Sequence, residues 1–468
     1  MCCLIVFFWY FYVVNNNEMK IKLYRSSTIG LNLSGYKILM DPWLTDGEYY
    51  GSWSHYPYYD LTSNIDEINS YNAIYISHIH PDHCSENTLK MINKNIPIYI
   101  HSYHTKFLKF KLERLGFKVN ELIHGKKYSL SKYSNINIYA ADNCNPKLCL
   151  KIMGCADLNA KNGSQQIDTL AVFDDGKNVL VNTNDCPFEL AKSTLDQILK
   201  DYSDITGVLT GYSGAGHYPQ CFKSISNKDK IVAAKLKQQK FLNQAIKFIE
   251  KLKAKTYLPF AGTYTLTGKL SKLQDLRGVP LIDDAFLFFE NYFKNSKNYN
   301  HVMPMKISAD QTFDLDLKEN SSEYKFINKL DYKNYIDENL KHKKLDYEND
   351  IKPNFDELYE LSKSAFTRFL EKKEINNVKL DTDIYLKVNE KLIKLNKNNT
   401  IDKINEENFT NKEKYLIYET DPRLLKKLLM GPKYAHWNNA EIGSHINFYR
   451  NFDNYDISLY ESLIYLHN

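Results

Sequence analysis

Alternating apolar and polar residues predict short β-strands in the first part of the chain. This alternation covers residues 19–24, 29–33 and 36–40, and the Ser34-Gly35 pair separates the last two segments. A period of two places neighbouring side chains on opposite faces of a sheet, and a Ser-Gly pair is typical of a tight turn. The pattern therefore predicts a hairpin that delivers Asp41 to the end of a strand.

Helical and strand patterns alternate through the next part of the chain. Apolar positions with a period near 3.6 predict helices, and short β-branched or aromatic runs predict strands. In chain order, the predicted elements are a strand at 73–76, a helix at 85–93, a strand at 96–100, a helix at 106–115, strands at 136–140, 169–173 and 178–182, and an amphipathic helix at 231–253. This alternation is typical of a layered α/β fold.

The length of the chain predicts more than one domain. Single cores rarely grow beyond about 300 residues, and this chain has 468. The alternation fades after residue 270, residues 306–350 are charged and rich in Asn, and strands resume at 382–388 and 415–420 before a helix at 422–429. We predict four segments: a hydrophobic extension at 1–18, an α/β domain at 19–270, a helical and charged linker at 271–355, and a smaller C-terminal α/β domain at 356–468.

The first residues differ from the rest of the chain. Residues 4–14 form an apolar run that is too short to span a bilayer and that no Lys or Arg precedes. We therefore expect no signal peptide and no stable membrane insertion. Because the strand pattern begins at Met19, we interpret residues 1–18 as an upstream extension of the reading frame. An interfacial membrane anchor is the alternative.

The composition is ordinary for a soluble globular protein, with 43% hydrophobic and 25% charged residues. A formal net charge of +5 gives no case for nucleic-acid binding, although a mildly basic surface suits a phosphorylated substrate. The eight cysteines include no C-x-x-C pair, which predicts a reduced, cytoplasmic protein. The sequence also contains no C-x-H segment accompanied by C-x-x-H, so it carries no Rieske iron–sulfur motif.

Three histidines and an aspartate lie within six residues of one another, directly after the predicted strand at 73–76. They are His78, His80, Asp82 and His83. Pro81 prevents the strand from continuing, so the side chains leave a tight loop at the strand end. His78 and His80 can point the same way, and Asp82 and His83 can face a second metal, as two-metal hydrolytic sites require. A set of unrelated surface histidines is the alternative.

These residues identify a resemblance. The segment His78-x-His80-x-Asp82-His83 resembles the H-x-H-x-D-H signature of the metallo-β-lactamase fold. Further segments resemble a branch that holds sugar-phosphate lactonases and the CMP-N-acetylneuraminate and UDP-N-acetylmuramate hydroxylases. The first is Asp41-Pro42-Trp43-Leu44, and those that resemble the hydroxylases in particular are Asn182 to Cys186, Ser213 to Gly216, Pro259 to Gly262 and Ala435 to Ser444.

The resemblance spans most of the chain after Met19 and implies an αββα sandwich. The strand-then-helix order of the C-terminal part is similar to a sterol-carrier type of α/β domain. The family also implies that a carboxylate at the end of the strand at 178–182 bridges two metals. Asp185 stands at that position, with helix N-capping before Pro187 as the alternative. Asp41 can orient a metal-bound histidine, or it can be a turn aspartate before Pro42.

The hydrolase pattern is incomplete in this chain. Where the family's third histidine is expected, residues 141–146 offer Asp142 and Asn143, and residues 256–262, near the expected last histidine, contain none. The hydroxylase branch departs from the hydrolases at the same places. Oxygen ligands in place of imidazoles favour iron over zinc. We therefore expect two divalent metal ions, with iron favoured and zinc as the alternative.

Other polar residues are candidates for the same site. His217 is a candidate general acid or base, with an ordinary loop histidine as the alternative. His436, Glu441 and His445 lie near the C-terminus, and the last two are four residues apart, which would place them on one helix face. They can complete the metal site, or they can form a polar interface around Trp437.

Three functions remain open at this stage. An oxygenase would hydroxylate a nucleotide-sugar or a related acylated sugar, with Asp82 and Asp185 in the reacting centre and a separate protein as electron donor. A hydrolase would use two metals to activate water against a phosphoester, an ester or a lactone. A binding module with a vestigial site is the third, and the intact cluster at residues 78–83 argues against it.

Overall fold

Three β-sheets of five or more strands form the framework of the described chain. The computed structural model describes residues 18–153, 167–375, 378–410, 413–452 and 457–468. Its strands are β1 (Met19–Arg25), β2 (Thr28–Leu33), β3 (Tyr36–Met40), β4 (Trp53–Ser54), β5 (Ala73–Tyr75), β6 (Ile98–His101), β7 (Val119–Leu122), β8 (Lys127–Ser129), β9 (Asn135–Ala140), β10 (Thr169–Asp174), β11 (Val179–Asn182), β12 (Gly207–Gly211), β13 (Thr256–Phe260), β14 (Thr265–Leu266), β15 (Met303–Pro304), β16 (Thr312–Asp314), β17 (Glu319–Asn320), β18 (Asp383–Val388), β19 (Lys391–Leu395), β20 (Ile401–Asn405), β21 (Tyr415–Glu419) and β22 (Asn447–Arg450).

Helices follow most of these strands. They are α1 (Glu48–Gly51), α2 (Ile65–Asn69), α3 (Glu86–Met91), α4 (Phe107–Arg114), α5 (Pro146–Met153), α6 (Phe188–Asp201), α7 (Asn227–Leu252), α8 (Ile282–Lys294), α9 (Lys329–Tyr335), α10 (Phe355–Ile375), α11 (Pro422–Met430), α12 (Trp437–Ile442) and α13 (Ile457–Leu463). Short 3-10 helices occur at Gly268–Leu276, Asp346–Asn349 and Glu406–Asn408, and a π-helix occurs at Ile336–Leu340.

Two large sheets pack face to face. The first has the order β17-β16-β1-β2-β3-β5-β6-β7, and the second has the order β15-β13-β12-β11-β10-β9-β8. One buried apolar cluster takes side chains from both sheets, and the rings of Tyr75 in the first and Phe173 in the second lie 5.8 Å apart. Helices α3 and α4 pack on the other face of the first sheet, and α6, α7 and α8 pack against the second. The layered mixed α/β fold predicted from the sequence is therefore present.

A third sheet forms in the C-terminal part, with the order β20-β19-β18-β21-β22. The predicted strands at 382–388 and 415–420 correspond to β18 and β21, which pair in parallel. This sheet shares a buried cluster with Trp43 and Trp53 from the first part of the chain. The cluster brings the C-terminal segment close to the strand ends of the first sheet. The domain boundaries and the sterol-carrier resemblance stay predictions.

The segment from 306 to 350 differs from the helices and linker that the sequence predicts. Strand β16 lies within it and joins the first sheet, where Phe313 pairs with Ile21, while β15 just before it joins the second sheet beside β13. Phe313 and Leu315 are buried at alternate positions. This alternation is too short to stand out among the charged residues around it, and tertiary pairing decides the structure.

The predicted extension at 1–18 lies outside the described residues, except for Glu18. Strand β1 begins at Met19, as the alternation predicts. None of the helices in the described part of the chain has both the length and the apolar character that are needed to cross a bilayer.

Candidate metal centre

The loop after β5 brings His78 and His80 into contact. His78 is fully buried, and its Nδ1 lies 2.9 Å from Ser77 Oγ. Its Nε2 lies 2.9 Å from Nδ1 of His80. Two nitrogens that bind one ion at about 2.1 Å with a right angle between them are about 3 Å apart. The separation of these two nitrogens therefore fits shared binding of one metal ion.

His83 is held on the same loop by Asp41, which ends β3. Nδ1 of His83 lies 2.8 Å from Oδ2 of Asp41, and Asp41 also accepts from the backbone N and the Oγ of Ser77, both at 2.7 Å. Asp41 has a left-handed φ of 45°, a backbone strain that such contacts offset. Because the carboxylate accepts the hydrogen bond of Nδ1–H, the lone pair of Nε2 remains available for a metal.

Two carboxylates face the Nε2 atom of His83. Asp82 Oδ2 lies 3.7 Å from it, and Asp185 Oδ2 lies 3.4 Å from it. Nε2 is buried and makes no hydrogen bond with any described residue. Asp185 follows β11, and the residue that caps α6 is Pro187. The carboxylate of Asp185 therefore lies beside His83, where a bridging ligand is expected.

Asp168 is a third carboxylate that faces the histidines, and the sequence did not single it out. Its Oδ1 lies 3.9 Å from Nε2 of His78, and its side chain is 10% exposed. Asp168 precedes β10, whereas Asp185 follows the antiparallel neighbour β11. The start of one strand and the end of its antiparallel neighbour lie at the same sheet edge. This relation was the available signal, because the hairpin of β10 and β11 is evident in the sequence.

We call His78, His80, Asp82, His83, Asp168 and Asp185 the candidate metal centre. Within it, His78, His83 and Asp185 each offer one ligand atom, and these three atoms all lie within 4.8 Å of one another. The centre offers three imidazoles and three carboxylates. Nε2 of His83 is buried without a hydrogen bond among the described residues, while Nδ1 of the same ring is bonded to Asp41. These features fit a site for divalent ions. Half of its ligand residues are carboxylates. A site with such oxygen ligands suits iron better than a site that has only nitrogen and sulfur ligands.

The electrostatics of the described residues show a shortage of positive charge. Burial alone would lower the pKa of His83, but the carboxylates of Asp185, Asp41 and Asp82 raise it well above its ordinary value. Burial and the neighbouring Asp185 raise the pKa of Asp168 to about 7. Carboxylates that crowd in a buried site favour a bound cation, because it offsets their mutual repulsion.

Two of the C-terminal residues predicted as ligands have other partners. Nε2 of His445 lies 2.7 Å from the backbone O of Tyr49, and its Nδ1 lies 3.1 Å from the hydroxyl of Tyr347. Glu441 lies 4.0 Å from Nδ1 of His217. The i, i+4 argument for Glu441 and His445 fails because α12 ends at Ile442, before His445.

The remaining predicted residues lie at different distances from the centre. His436 lies close to His80. Burial is the main cause that lowers the pKa of His436 to about 4, and the neighbouring His80 is the second. Asn438 forms a side-chain hydrogen bond with His80. Oδ1 of Asp142 accepts from the backbone N of Cys144 at 3.0 Å. His217 stacks on Phe448, with ring centroids 4.4 Å apart. Its role as general acid or base stays a prediction.

Asp168→Asn is expected to weaken metal binding by about 10- to 100-fold, whereas Asp142→Asn is expected to change it by less than threefold. Both substitutions keep the volume and remove one charge from a buried aspartate. The measurement is the dissociation constant of the purified full chain for Co²⁺, obtained by competition with a chromophoric chelator. If Asp142→Asn instead weakened binding more than Asp168→Asn, Asp142 would be the better candidate for the ligand that replaces the family's third histidine.

Comparisons with known proteins place the sequence motifs in context. No family model matches the sequence. A cytidine monophosphate-N-acetylneuraminic acid hydroxylase of Asterias rubens is 26% identical over 53% of this chain and 35% of its own length. A protein of Mycolicibacterium smegmatis, provisionally named a Rieske 2Fe-2S iron-sulfur protein, is 27% identical over 54% of this chain and 46% of its own length. The chain spans less than half the length of these curated relatives.

Solved structures match more of this chain, at a lower sequence identity. CmlA, a diiron β-hydroxylase from Streptomyces venezuelae, is 12% identical, with a TM-score of 0.41, over 64% of this chain and 54% of its own. The metallo-β-lactamase fold protein YhfI from Bacillus subtilis is 10% identical, with a TM-score of 0.34, over 64% of this chain and 99% of its own. About half of this chain is thus similar in sequence to CMP-N-acetylneuraminic acid hydroxylases.

Proposed function

We propose that this chain is a dinuclear metal enzyme of the metallo-β-lactamase fold that hydroxylates a nucleotide-sugar or a related acylated sugar. The observation that carries the proposal is the candidate metal centre, in which three imidazoles and three carboxylates from three strand ends converge at one edge of the two packed sheets. The similarity to CMP-N-acetylneuraminic acid hydroxylases supports the choice of reaction and of substrate class.

The ligands divide into two groups. His78 and His80 face each other and would hold one ion, while Asp82 and His83 would hold the second. Asp185 lies beside His83, and Asp168 lies beside His78. When bound, two iron ions would supply the redox chemistry of hydroxylation. The chain itself positions them, since Asp41 fixes the ring of His83.

An oxygenase needs electrons, and this sequence holds no Rieske ligand motif. We therefore propose that a separate electron-donor protein acts with the chain. Among the described residues, Cys84, Cys186 and Cys221 are buried free thiols, which is consistent with a reduced environment. A cytoplasmic location stays a prediction.

Hydrolysis of a phosphoester, an ester or a lactone is the alternative function. The same ligands would hold two zinc ions, which lower the pKa of bound water toward neutrality. The available carboxylates suit this chemistry too, because a buried aspartate such as Asp168 can accept a proton from water.

The identity of the bound metal tests both functions. We expect the purified full chain to contain two equivalents of iron and His80→Ala to lose at least one, because His80 nitrogen faces His78 nitrogen directly. The exposed His104 gives a matched control, and His104→Ala should keep both equivalents. Two zinc ions would favour the hydrolase. A chain without metal after reconstitution would overturn both proposals and leave a binding module.

A further inference from the structure

Tyr49 and Tyr50 have an unusual backbone next to the candidate metal centre. Their φ and ψ angles are 51° and 58° for Tyr49, and 59° and 40° for Tyr50. Both lie in the left-handed region, which side chains with a Cβ rarely adopt. Successive residues in this region persist only where the surroundings hold them, and such strain gathers at functional sites.

The C-terminal segment supplies the contacts that hold these two residues. His445 donates from Nε2 to the backbone O of Tyr49 at 2.7 Å, while Tyr347 donates to its Nδ1 at 3.1 Å. The hydroxyl of Tyr50 accepts from the backbone N of His436 at 2.6 Å. His445 and Tyr49 are 396 residues apart in sequence, and both are buried. We call Tyr49 and Tyr50 the Tyr49 turn. Contacts with a distant part of the chain therefore hold the conformation of this turn.

The Tyr49 turn acts on the candidate metal centre through its side chain. The hydroxyl of Tyr49 donates to Oδ1 of Asp82, while the other oxygen of Asp82 lies 3.7 Å from Nε2 of His83. The ring of Tyr49 is 3% exposed and lies 4.5 Å from the ring of Trp53, measured between centroids. A packed ring leaves its hydroxyl little freedom, so one oxygen of Asp82 is fixed and the other faces the centre.

We propose that Tyr49 is a positioning residue for the metal ligand Asp82, and that His445 in the C-terminal segment holds Tyr49 in place. The inference rests on the proposed function, because it treats Asp82 as a metal ligand. The sequence predicts His445 as a ligand, but here it acts on the metals indirectly, through Tyr49 and Asp82. Through this connection His445 supports the second metal position without binding the metal itself. Hydrogen-bond partners of metal ligands commonly tune metal affinity in this way.

Titration of the metal-free full chain with Co²⁺ tests the role of Tyr49. Wild type is expected to bind two equivalents. Tyr49→Phe keeps the ring and removes the hydroxyl, so it should weaken one equivalent by about 10- to 100-fold and leave the other unchanged. The visible absorption of Co²⁺ should change for the weakened equivalent alone. Tyr257→Phe is the matched control, because it also deletes a fully buried hydroxyl, which faces α8 and has no hydrogen-bond partner among the described residues.

His445 variants test the second half of the proposal. His445→Ala removes the donor to Tyr49 and should weaken the same equivalent as Tyr49→Phe. His445→Gln places an amide donor near the position of Nε2 and should restore at least part of the affinity. A merely structural histidine would lower thermal stability in both variants without distinguishing the two metal equivalents.

The outcomes separate this inference from the proposed function. If wild type binds no Co²⁺, the proposed metal enzyme fails. If wild type binds two equivalents and Tyr49→Phe binds both with unchanged affinity, the positioning role is overturned while the proposed function stands. Should Tyr49→Phe fail to fold, equal affinities of His445→Ala and His445→Gln, both at the wild-type level, would overturn the inference.

Discussion

Asp185→Asn is expected to abolish turnover and to lower the metal content of the full chain. The carboxylate lies 3.4 Å from Nε2 of His83, and the pKa of Asp185 is lowered because His83 outweighs the effect of burial. The amide that replaces it keeps the volume but loses the charge that a bridging ligand supplies. Because loss of an outer-shell partner already costs about 10- to 100-fold, loss of a direct ligand should cost more than about 100-fold in activity.

The measurements are metal equivalents after dialysis and the turnover number with the substrate that wild type accepts. Asp196→Asn is a suitable control, because Asp196 is an exposed aspartate on α6 that pairs with Lys251. It should retain both metals and full activity. Turnover of Asp185→Asn within about tenfold of wild type, with full metal occupancy, would show that Asp185 is not a bridging ligand.

The loop from His78 to His83 could be predicted because it is local. A buried strand, a proline and four ligand residues lie within eleven positions, 73 to 83, so no long-range contact is needed to bring the side chains together. Asp41 and Asp185 could be placed for a related reason, since Asp41 directly follows a recognisable strand and Asp185 lies three residues after the end of another. The structure places both next to His83.

Asp168 and the C-terminal residues show where sequence reasoning ends. Asp168 enters the centre through the pairing of β10 with β11, so its position depends on which residues flank an antiparallel pair. His445 leaves the expected helix face because α12 ends early and Ser444 takes a left-handed φ of 64°. The contact of His445 with Tyr49 spans almost the whole chain, and no local pattern encodes it.

The metal-free chain is expected to lose more stability than the metal-loaded chain as the pH rises from about 4 to about 7. Burial, with Asp185 next, raises the pKa of Asp168 from 3.8 to about 7. The folded state therefore binds a proton between these values that the unfolded state has released, so folding is favoured at low pH and this contribution is lost as the pH approaches the folded pKa. Over the two units from pH 5 to pH 7 the loss is about 2 kcal/mol.

Chemical denaturation at several pH values measures this slope, with the chelator-treated and the metal-loaded full chain compared at each pH. Asp168→Asn has no proton to bind, so the metal-free variant should lose the part of the slope that Asp168 contributes. His83, whose pKa is also raised, contributes in the same direction, and Asp185, whose pKa is lowered, contributes in the opposite direction and mainly below pH 4. Bound metal keeps the carboxylates ionised in the folded state and thereby removes the proton that links stability to pH. A metal-free chain whose free energy of unfolding rises with pH over this range would contradict the crowding of buried carboxylates that makes the centre a cation site.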